Sequence, residues 1–106
     1  MSDETLVLTG HQGRKIRLMV ERRMHILGHP ELKDQFERIR ETVEKPTVIV
    51  VTPSDETVHV YHRYHASTPV TSKYLLVIVK ILEEDAFVLT AFFSSRQKKG
   101  IRLWQA

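Results

Sequence analysis

The first half of the chain carries apolar side chains at helical spacing after a short extended start. Residues 5–8 are predicted to form an extended segment, which ends at the glycines of residues 9–13. From Arg14, the apolar positions predict a first helix with a basic outer face, since they recur with a period near that of a helix: Ile16, Met19, Val20, Ile26 and Leu27. Gly28 suits a helix C-cap and Pro30 the first turn of a new helix, so His29 is expected to be a hinge or N-cap residue.

The second helix is predicted to run from Pro30 to about Glu44, where Pro46 stops it. Beyond Pro46 the pattern is that of β-strands with turns between them, and we expect strands over residues 47–52, 57–64, 73–82, 86–93 and 101–104. In the second of these, alternation places Val58 and Val60 on one face of the sheet and His59, Tyr61 and Arg63 on the other. The predicted fold class is α+β: two N-terminal helices packed on one face of a four- to five-stranded antiparallel meander sheet. A chain of 106 residues is the size of one domain, so residues 1–106 are expected to share one core.

The two longest predicted strands form a hairpin whose register can be estimated. If Leu82 faces Ala86, then Ile78 faces Thr90. One face of the hairpin is then purely apolar and is expected to carry the helices: Leu75, Val77, Val79, Ile81, Phe87, Leu89, Ala91 and Phe93. The other face holds the polar residues, and any site on the sheet is expected there: Tyr74, Leu76, Ile78, Lys80, Val88, Thr90, Phe92 and Ser94.

Composition narrows the class of protein. There are no cysteines, which excludes disulfides, thiolate zinc sites and a cysteine nucleophile. The start of the chain is acidic and polar, unlike a signal peptide, and the longest apolar stretch, residues 74–79, is too short to cross a bilayer, so a cytoplasmic location is expected. The net charge of +3 is compatible with a polyanionic partner, and basic residues cluster over residues 14–23 and 96–102.

Two sets of histidines have spacings that could suit a metal ion. His25 and His29 are four residues apart, but the glutamate of a His-Glu-x-x-His motif is missing and the expected break at His29 spoils the helical geometry. In the other set, His59 and His65 lie roughly 20 Å apart on an extended strand at ~3.3 Å per residue, and His62 points to the opposite face. No metal and no other cofactor is therefore expected.

The histidine pair at the joint between the helices has a second interpretation, in acid–base chemistry. Histidine suits proton transfer near neutral pH, and Glu31 lies beside the pair. Two such groups and an arginine are the minimum set for cleaving RNA without a metal, because one group deprotonates the 2′-hydroxyl and another protonates the leaving oxygen. The alternative is a purely structural role, in which His29 is a hinge whose ring caps the second helix. Side chains elsewhere could grip phosphate, donate hydrogen bonds or stack on a base: Arg63, Arg96, Thr90, Ser94, Tyr61 and Tyr64.

The junction His25-Ile-Leu-Gly-His29-Pro30-Glu31-Leu32 resembles the phage- and prophage-associated barnase–colicin–RelE-like nuclease group. Later segments agree in order: Tyr61-His-Arg-Tyr64, the apolar strand that opens at Lys73, and Phe87-Val-Leu-Thr90-Ala91-Phe92. The resemblance spans roughly residues 8–104. It implies a small α+β domain acting as a metal-independent, toxin-like ribonuclease, with RNA as its substrate and an immunity or antitoxin protein as a further partner.

By motif match, the resemblance implies that His25 and His29 are active-site residues, with Arg63 and Thr90 as their partners on the sheet. Together with Glu31 these four are the candidate catalytic residues, and the chemistry of the side chains gives the candidate substrate-binding residues: Tyr61, Tyr64, Lys73, Ser94, Arg96 and Lys98. Two alternatives stay open: a non-catalytic module that binds RNA or protein, and a homodimer formed through the second face of the sheet.

Overall fold

Strands dominate the architecture of the described part of the chain. A computed structural model describes residues 5–66, 68–69 and 73–106; the acidic residues at the very start lie outside these ranges. The elements are β1 (Leu6–Thr9), β2 (Lys15–Leu18), α1 (Val20–Leu27), α2 (Phe36–Glu44), β3 (Val48–Thr52), β4 (Asp55–His65), β5 (Lys73–Ile81), β6 (Ala86–Ser94) and β7 (Ile101–Gln105). Over these residues, all seven strands form one sheet in the order β1-β2-β6-β5-β4-β3-β7.

The predicted fold class is wrong in the size of the sheet and in the direction of its strands. The sheet has seven strands over the described residues instead of four or five, and β2 runs parallel to β6 in an otherwise antiparallel arrangement. Part of the predicted first helix is β2, in which Ile16 and Leu18 are buried and their neighbours are not. Over the four residues of β2, the period of 3.6 of a helix and the period of two of a strand are hard to tell apart. Pairing decides the outcome: β1 pairs along all of β2, and Arg17 holds Asp85 through two hydrogen bonds of 2.9 and 2.7 Å.

Both helices are shorter than predicted. The first begins only at Val20, and the predicted second helix is divided into a 3-10 turn over Pro30–Leu32 and α2 from Phe36. Gln35 separates them with a non-helical backbone at φ −109° and ψ 17°. The predicted end near Glu44, before Pro46, is confirmed. Among the described residues, no helix is long and apolar enough to cross a membrane.

The predicted hairpin register is confirmed from Tyr74 to Ile78 on β5 and is wrong from Val79 to the turn. Ile78 faces Thr90, but Ala86 faces Ile81, because Leu89 is an extra residue that forms a bulge in β6. The bulge turns Val88 onto the face where it is fully buried and places Phe87 opposite Lys80, the reverse of the prediction. The helices pack on the face that carries Leu75, Val77 and Val79, here called the helix-covered face; the opposite one is the open face.

The sheet curls around α2. Ile39 and Val43 on this helix are buried in one cluster with side chains from β1, β2, β4, β5 and β6. Each such aliphatic side chain contributes about 1.5–3 kcal/mol by leaving water. The 3-10 turn that follows β1 reaches the opposite edge of the sheet, where the ring of His11 lies against that of Trp104 on β7, with centroids 4.1 Å apart. The two edges of the sheet are therefore brought together on the helix-covered side.

Residues 95–100, here called the strap, cross part of the open face between β6 and β7. The backbone N–H of Lys98 donates to Nε2 of His62 at 2.9 Å, and Gln97 donates to the Tyr74 hydroxyl at 3.2 Å. Gly100 lies so close to Val51 that a Cβ there would collide with the backbone oxygen. His62 is fully buried, as are apolar side chains on the same face: Val48, Val60 and Leu76.

The contact between His62 and the strap predicts a loss of stability in acid. Burial lowers the pKa of His62 from its ordinary 6.5, because it disfavours the charged ring, and hydrogen bonds to the backbones of Val48 and Val60 oppose this shift. The Lys98 N–H needs an unprotonated Nε2 as its acceptor, so the contact with the strap exists only with the neutral ring. The unfolded chain then binds this proton more readily, so the free energy of unfolding is highest above pH 6.5 and falls as the pH drops below it. Urea titrations between pH 8 and pH 5 measure this slope.

His62→Gln should flatten the slope, whereas the exposed His25→Gln should leave it as in the wild type. An unchanged slope in His62→Gln would contradict this account of the strap. Some slope is expected to remain, because burial also lowers the pKa of His59 and of His65.

Candidate functional site

The joint between α1 and the following 3-10 turn brings two imidazoles together. His25 lies in the last turn of α1, and His29 takes the N-cap position before Pro30, as predicted. Their rings meet edge to face, with centroids 5.3 Å apart, and both residues are exposed. His29 makes no side-chain capping hydrogen bond, so the capping alternative is not realised in the structure. Glu31, within the turn, is half-buried.

The other two candidate catalytic residues lie on opposite faces of the sheet. Arg63 is on the helix-covered face at the end of α2, where its Nη1 donates to the Lys45 carbonyl at 2.5 Å and its Nη2 lies 3.5 Å from Glu41. Thr90 is on the open face, opposite Ile78. The sheet therefore separates Thr90 from Arg63 and from the histidine joint on the helix side.

The candidate substrate-binding residues are also divided. Tyr61 is only 3% exposed and belongs to the core on the helix-covered face, while Tyr64 is 50% exposed on the open face. Lys73 begins β5 opposite His65. The Ser94 hydroxyl donates to the Arg96 carbonyl at 2.8 Å and accepts from the Arg96 backbone N–H at 3.2 Å.

The structure does not bring the sequence-predicted residues into one site. Lys98, the remaining candidate, uses its backbone to hold His62 and leaves its side chain exposed. The open face thus carries Tyr64, Ser94 and the basic strap. The helix side carries the histidines and Arg63.

A pocket forms instead where the two edges of the sheet meet. It has a volume of about 260 Å³ and is here called the closure pocket. Its lining residues come from four parts of the chain: His11, Gln12, Arg14, Ile49, His59, Tyr61, Leu103 and Trp104. Two histidines, a tyrosine, an arginine and a tryptophan are thereby gathered around one concave space, the kind of arrangement from which binding and catalytic sites are built.

A tight turn positions the first of these histidines. Gly10 and Gly13 close the turn with two backbone hydrogen bonds: Gly13 N–H to the Gly10 carbonyl at 3.0 Å, and Gly10 N–H to the Arg14 carbonyl at 2.6 Å. Gln12 adopts a left-handed backbone with φ 62°, which is uncommon for a residue other than glycine. His11 lies against Trp104, and its buried Nε2 has no hydrogen-bond partner among the residues that the structure describes.

Strand β4 supplies the second histidine and the tyrosine from alternate positions on its helix-covered face. Burial lowers the pKa of His59, a hydrogen bond to the Glu56 backbone carbonyl opposes that shift, and the charge of Arg14 lowers the pKa further. Burial raises the pKa of Tyr61, an effect that Arg14 partly offsets. At neutral pH the pocket therefore holds a neutral imidazole, a protonated phenol and a guanidinium.

These three states define what the pocket can do. A neutral imidazole with one ring nitrogen donating to a backbone carbonyl has the other free to accept a proton, as a general base requires. A guanidinium at the mouth binds an anionic group, and the indole of Trp104 offers a stacking surface.

Sequence reasoning missed this pocket because its members are distant along the chain. The local pattern of the glycine-rich turn indicates only the end of an extended segment, and that of Arg14 indicates the start of a helix. Trp104 lies near the end of the last strand. One signal was present: alternation on β4 placed His59 and Tyr61 on one face, as the structure confirms. Nothing in local pattern indicated that the turn after β1 meets β7.

Comparison of the chain with protein-family models, with curated proteins and with solved structures finds no match. The resemblance to barnase–colicin–RelE-like nucleases therefore stays a prediction. Within the described ranges, no group of three or more histidine, aspartate and glutamate side chains is arranged to hold a metal ion.

The electrostatics of the closure pocket can be tested directly. Replacing Arg14 with Gln should raise the pKa of His59, because a positive charge that disfavours the protonated ring is removed. NMR titration of the histidine ring resonances measures this. Lys15→Gln is a matched control, because Lys15 is the next residue along the chain and its amine lies near Thr9.

The control should leave the pKa of His59 unchanged. An identical His59 titration in the wild type and Arg14→Gln would show that the guanidinium does not face this pocket.

Proposed function

We propose that this protein is a metal-independent endoribonuclease whose acid–base groups lie in the closure pocket. The observation that carries the proposal is the convergence of His11, Arg14 and His59 beside Trp104 in one 260 Å³ pocket. The acid–base chemistry is the one expected from the sequence, but the histidines that perform it are His11 and His59 instead of His25 and His29. The net charge of +3 supports an anionic substrate.

His59 acts as the base. Its neutral ring accepts the proton of a ribose 2′-hydroxyl, and the 2′-oxygen attacks the adjacent phosphorus as the bond from phosphorus to the 5′-oxygen breaks. His11 in its protonated form gives a proton to the departing 5′-oxygen. The products are a 2′,3′-cyclic phosphate end and a free 5′-hydroxyl, so atoms and protons balance without a cofactor.

Arg14 and the aromatic groups bind and stabilise the substrate and take no part in proton transfer. The guanidinium of Arg14 stabilises negative charge that develops on the phosphate oxygens in the transition state. Trp104 is half-buried beside the exposed Leu103, and together they form an apolar edge on which a base can stack. Tyr61, held in its protonated form by burial, can donate a hydrogen bond to the bound group.

A second candidate function is a non-catalytic module that binds RNA or a protein partner through the open face. The observation that favours it is the exposure of Tyr64 and Phe92, at 50% and 36%, on the side of the sheet that bears the basic strap. An immunity-type protein or a second copy of the chain could occupy this face. Such a module needs no acid–base pair, which separates the two candidates experimentally.

Histidine replacements distinguish the closure pocket from the helix joint. We expect the purified protein to cleave single-stranded RNA in EDTA and leave cyclic phosphate ends. His59→Gln and His11→Gln should each lower the rate roughly 100-fold or more, because a general acid or base contributes about 10²–10⁴ in rate. His25→Gln and His29→Gln are the matched controls and should keep the wild-type rate, because their rings lie at the α1 joint.

The outcomes are distinct. Loss of cleavage in His25→Gln or His29→Gln, with full activity in His11→Gln and His59→Gln, would assign catalysis to the joint and overturn the pocket assignment. Wild-type protein that cleaves neither structured nor single-stranded RNA would overturn the nuclease proposal. RNA binding that survives all four replacements, without cleavage by the wild type, would favour the binding module.

A further inference from the structure

The strap forms one wall of a cavity that the closure pocket does not use. The turn that joins β3 to β4 forms the other wall, and the cavity between them, here called the strap pocket, has a volume of about 480 Å³. Its lining residues are Thr52, Pro53, Ser54, Gln97, Lys98 and Lys99. Among the described residues, every ionisable side chain in this lining is a lysine. The strap pocket therefore carries two positive charges and no negative one.

The protein around the strap pocket does not neutralise this charge. Within the described ranges, neither Lys98 nor Lys99 has a carboxylate within ion-pair distance. The acidic residue next to the turn, Asp55, is held by other partners. Its carboxylate accepts from the backbone N–H and the hydroxyl of Thr57 at 2.9 and 2.6 Å and lies 3.2 Å from the Lys80 ammonium. An anion in the pocket thus meets two ammonium groups that no carboxylate occupies.

Uncharged donors complete the lining. The exposed Ser54 hydroxyl makes no hydrogen bond within the part of the chain that the structure describes. The Gln97 amide gives one N–H to the Tyr74 hydroxyl at 3.2 Å and has a second N–H to donate. A group with negative charge and several acceptor oxygens can bind ammonium, hydroxyl and amide donors at once, and phosphate is the common group of this kind.

Both walls of the strap pocket are fixed before a ligand binds. The backbone N–H of Lys98 donates to His62 at 2.9 Å, and Gly100 lies so close to the β3 backbone that no Cβ fits there. On the facing wall, the Thr52 hydroxyl closes the turn by donating to the Asp55 carbonyl at 2.8 Å. Binding a ligand between two ordered segments costs little conformational entropy, so modest contacts are enough for measurable affinity.

We propose that the strap pocket binds a phosphate group through Lys98, Lys99 and Ser54. The two ammonium groups supply the charge and the hydroxyl a directed hydrogen bond. The ligand is a phosphate that is free, is a terminal monoester or is a diester within a nucleic-acid backbone. The strap pocket shares no lining residue with the closure pocket, and the proposal does not rest on the proposed nuclease activity.

Inorganic phosphate titrated into the full chain tests the site, at constant pH and at an ionic strength held constant with chloride. Backbone amide NMR locates the binding, and the saturable shifts should be confined to Ser54 and residues 97–99. Lys98→Gln and Lys99→Gln should each weaken binding about threefold, and the double variant about tenfold, because each removes one exposed ion pair.

Lys33→Gln is the matched control for charge, because it removes one exposed lysine from the segment before α2. It should bind phosphate as the wild type does. Ser54→Ala leaves the charge unchanged and should weaken binding about threefold, the size of one neutral hydrogen bond. Its control is Ser95→Ala, since Ser95 is an exposed serine of the strap that does not line the pocket.

Some outcomes would overturn the proposal. They are wild-type affinity in the double lysine variant or in Ser54→Ala, and a loss in Lys33→Gln equal to that in Lys98→Gln. All the replaced side chains are exposed, so each variant should fold, and the unchanged remainder of its NMR spectrum verifies this.

Two deoxydinucleotides then identify the source of the phosphate. One carries a terminal 5′-phosphate and the other only the internal phosphodiester, and neither has the 2′-hydroxyl that the proposed cleavage requires. Shifts with both support backbone binding, shifts with the first alone support a monoester, and shifts with inorganic phosphate alone support the free anion. No shift with any of the three would overturn the strap pocket as a phosphate site, whether or not the protein cleaves RNA.

Discussion

The contact between His11 and Trp104 is the constraint on which the candidate site depends. It joins the turn after the first strand to the last strand, at the two edges of a seven-stranded sheet over the described residues. Hydrophobic burial of Ile39 and Val43 on α2 holds the sheet curled so that these edges can meet. Residues from both edges line the closure pocket, so its chemistry is a property of the whole fold and not of a local motif.

Strand β4 links the fold to its chemistry. Alternate side chains along its helix-covered face place His59 in the closure pocket and His65 near Arg38 and Arg63, while His62, between them, points to the open face and holds the strap. Three histidines on one strand thus serve three separate environments. They do not form one metal site, because the period of two of a β-strand turns His62 to the other face and roughly 20 Å of extended strand separates His59 from His65.

Local patterns predicted the strands after Pro46 well, because β-branched runs and turn residues determine them locally. They failed at β2, where residues 15–18 fit a helix until pairing with β1 and β6 is known. They also failed at Leu89, since a bulge depends on both paired strands. The histidine joint was placed correctly by the cap signals of Gly28 and Pro30, but the closure pocket joins residues too distant along the chain for any periodicity to connect.

The pH dependence of RNA cleavage in Arg14→Gln tests the central claim most directly. If His59 is the base and Arg14 lowers its pKa, the acidic limb of the rate profile must move to higher pH in this variant, by the same shift that NMR gives for the ring. A limb that stays at its wild-type pH while the His59 resonance moves would show that another group accepts the proton, and would contradict the assignment of catalysis to the closure pocket.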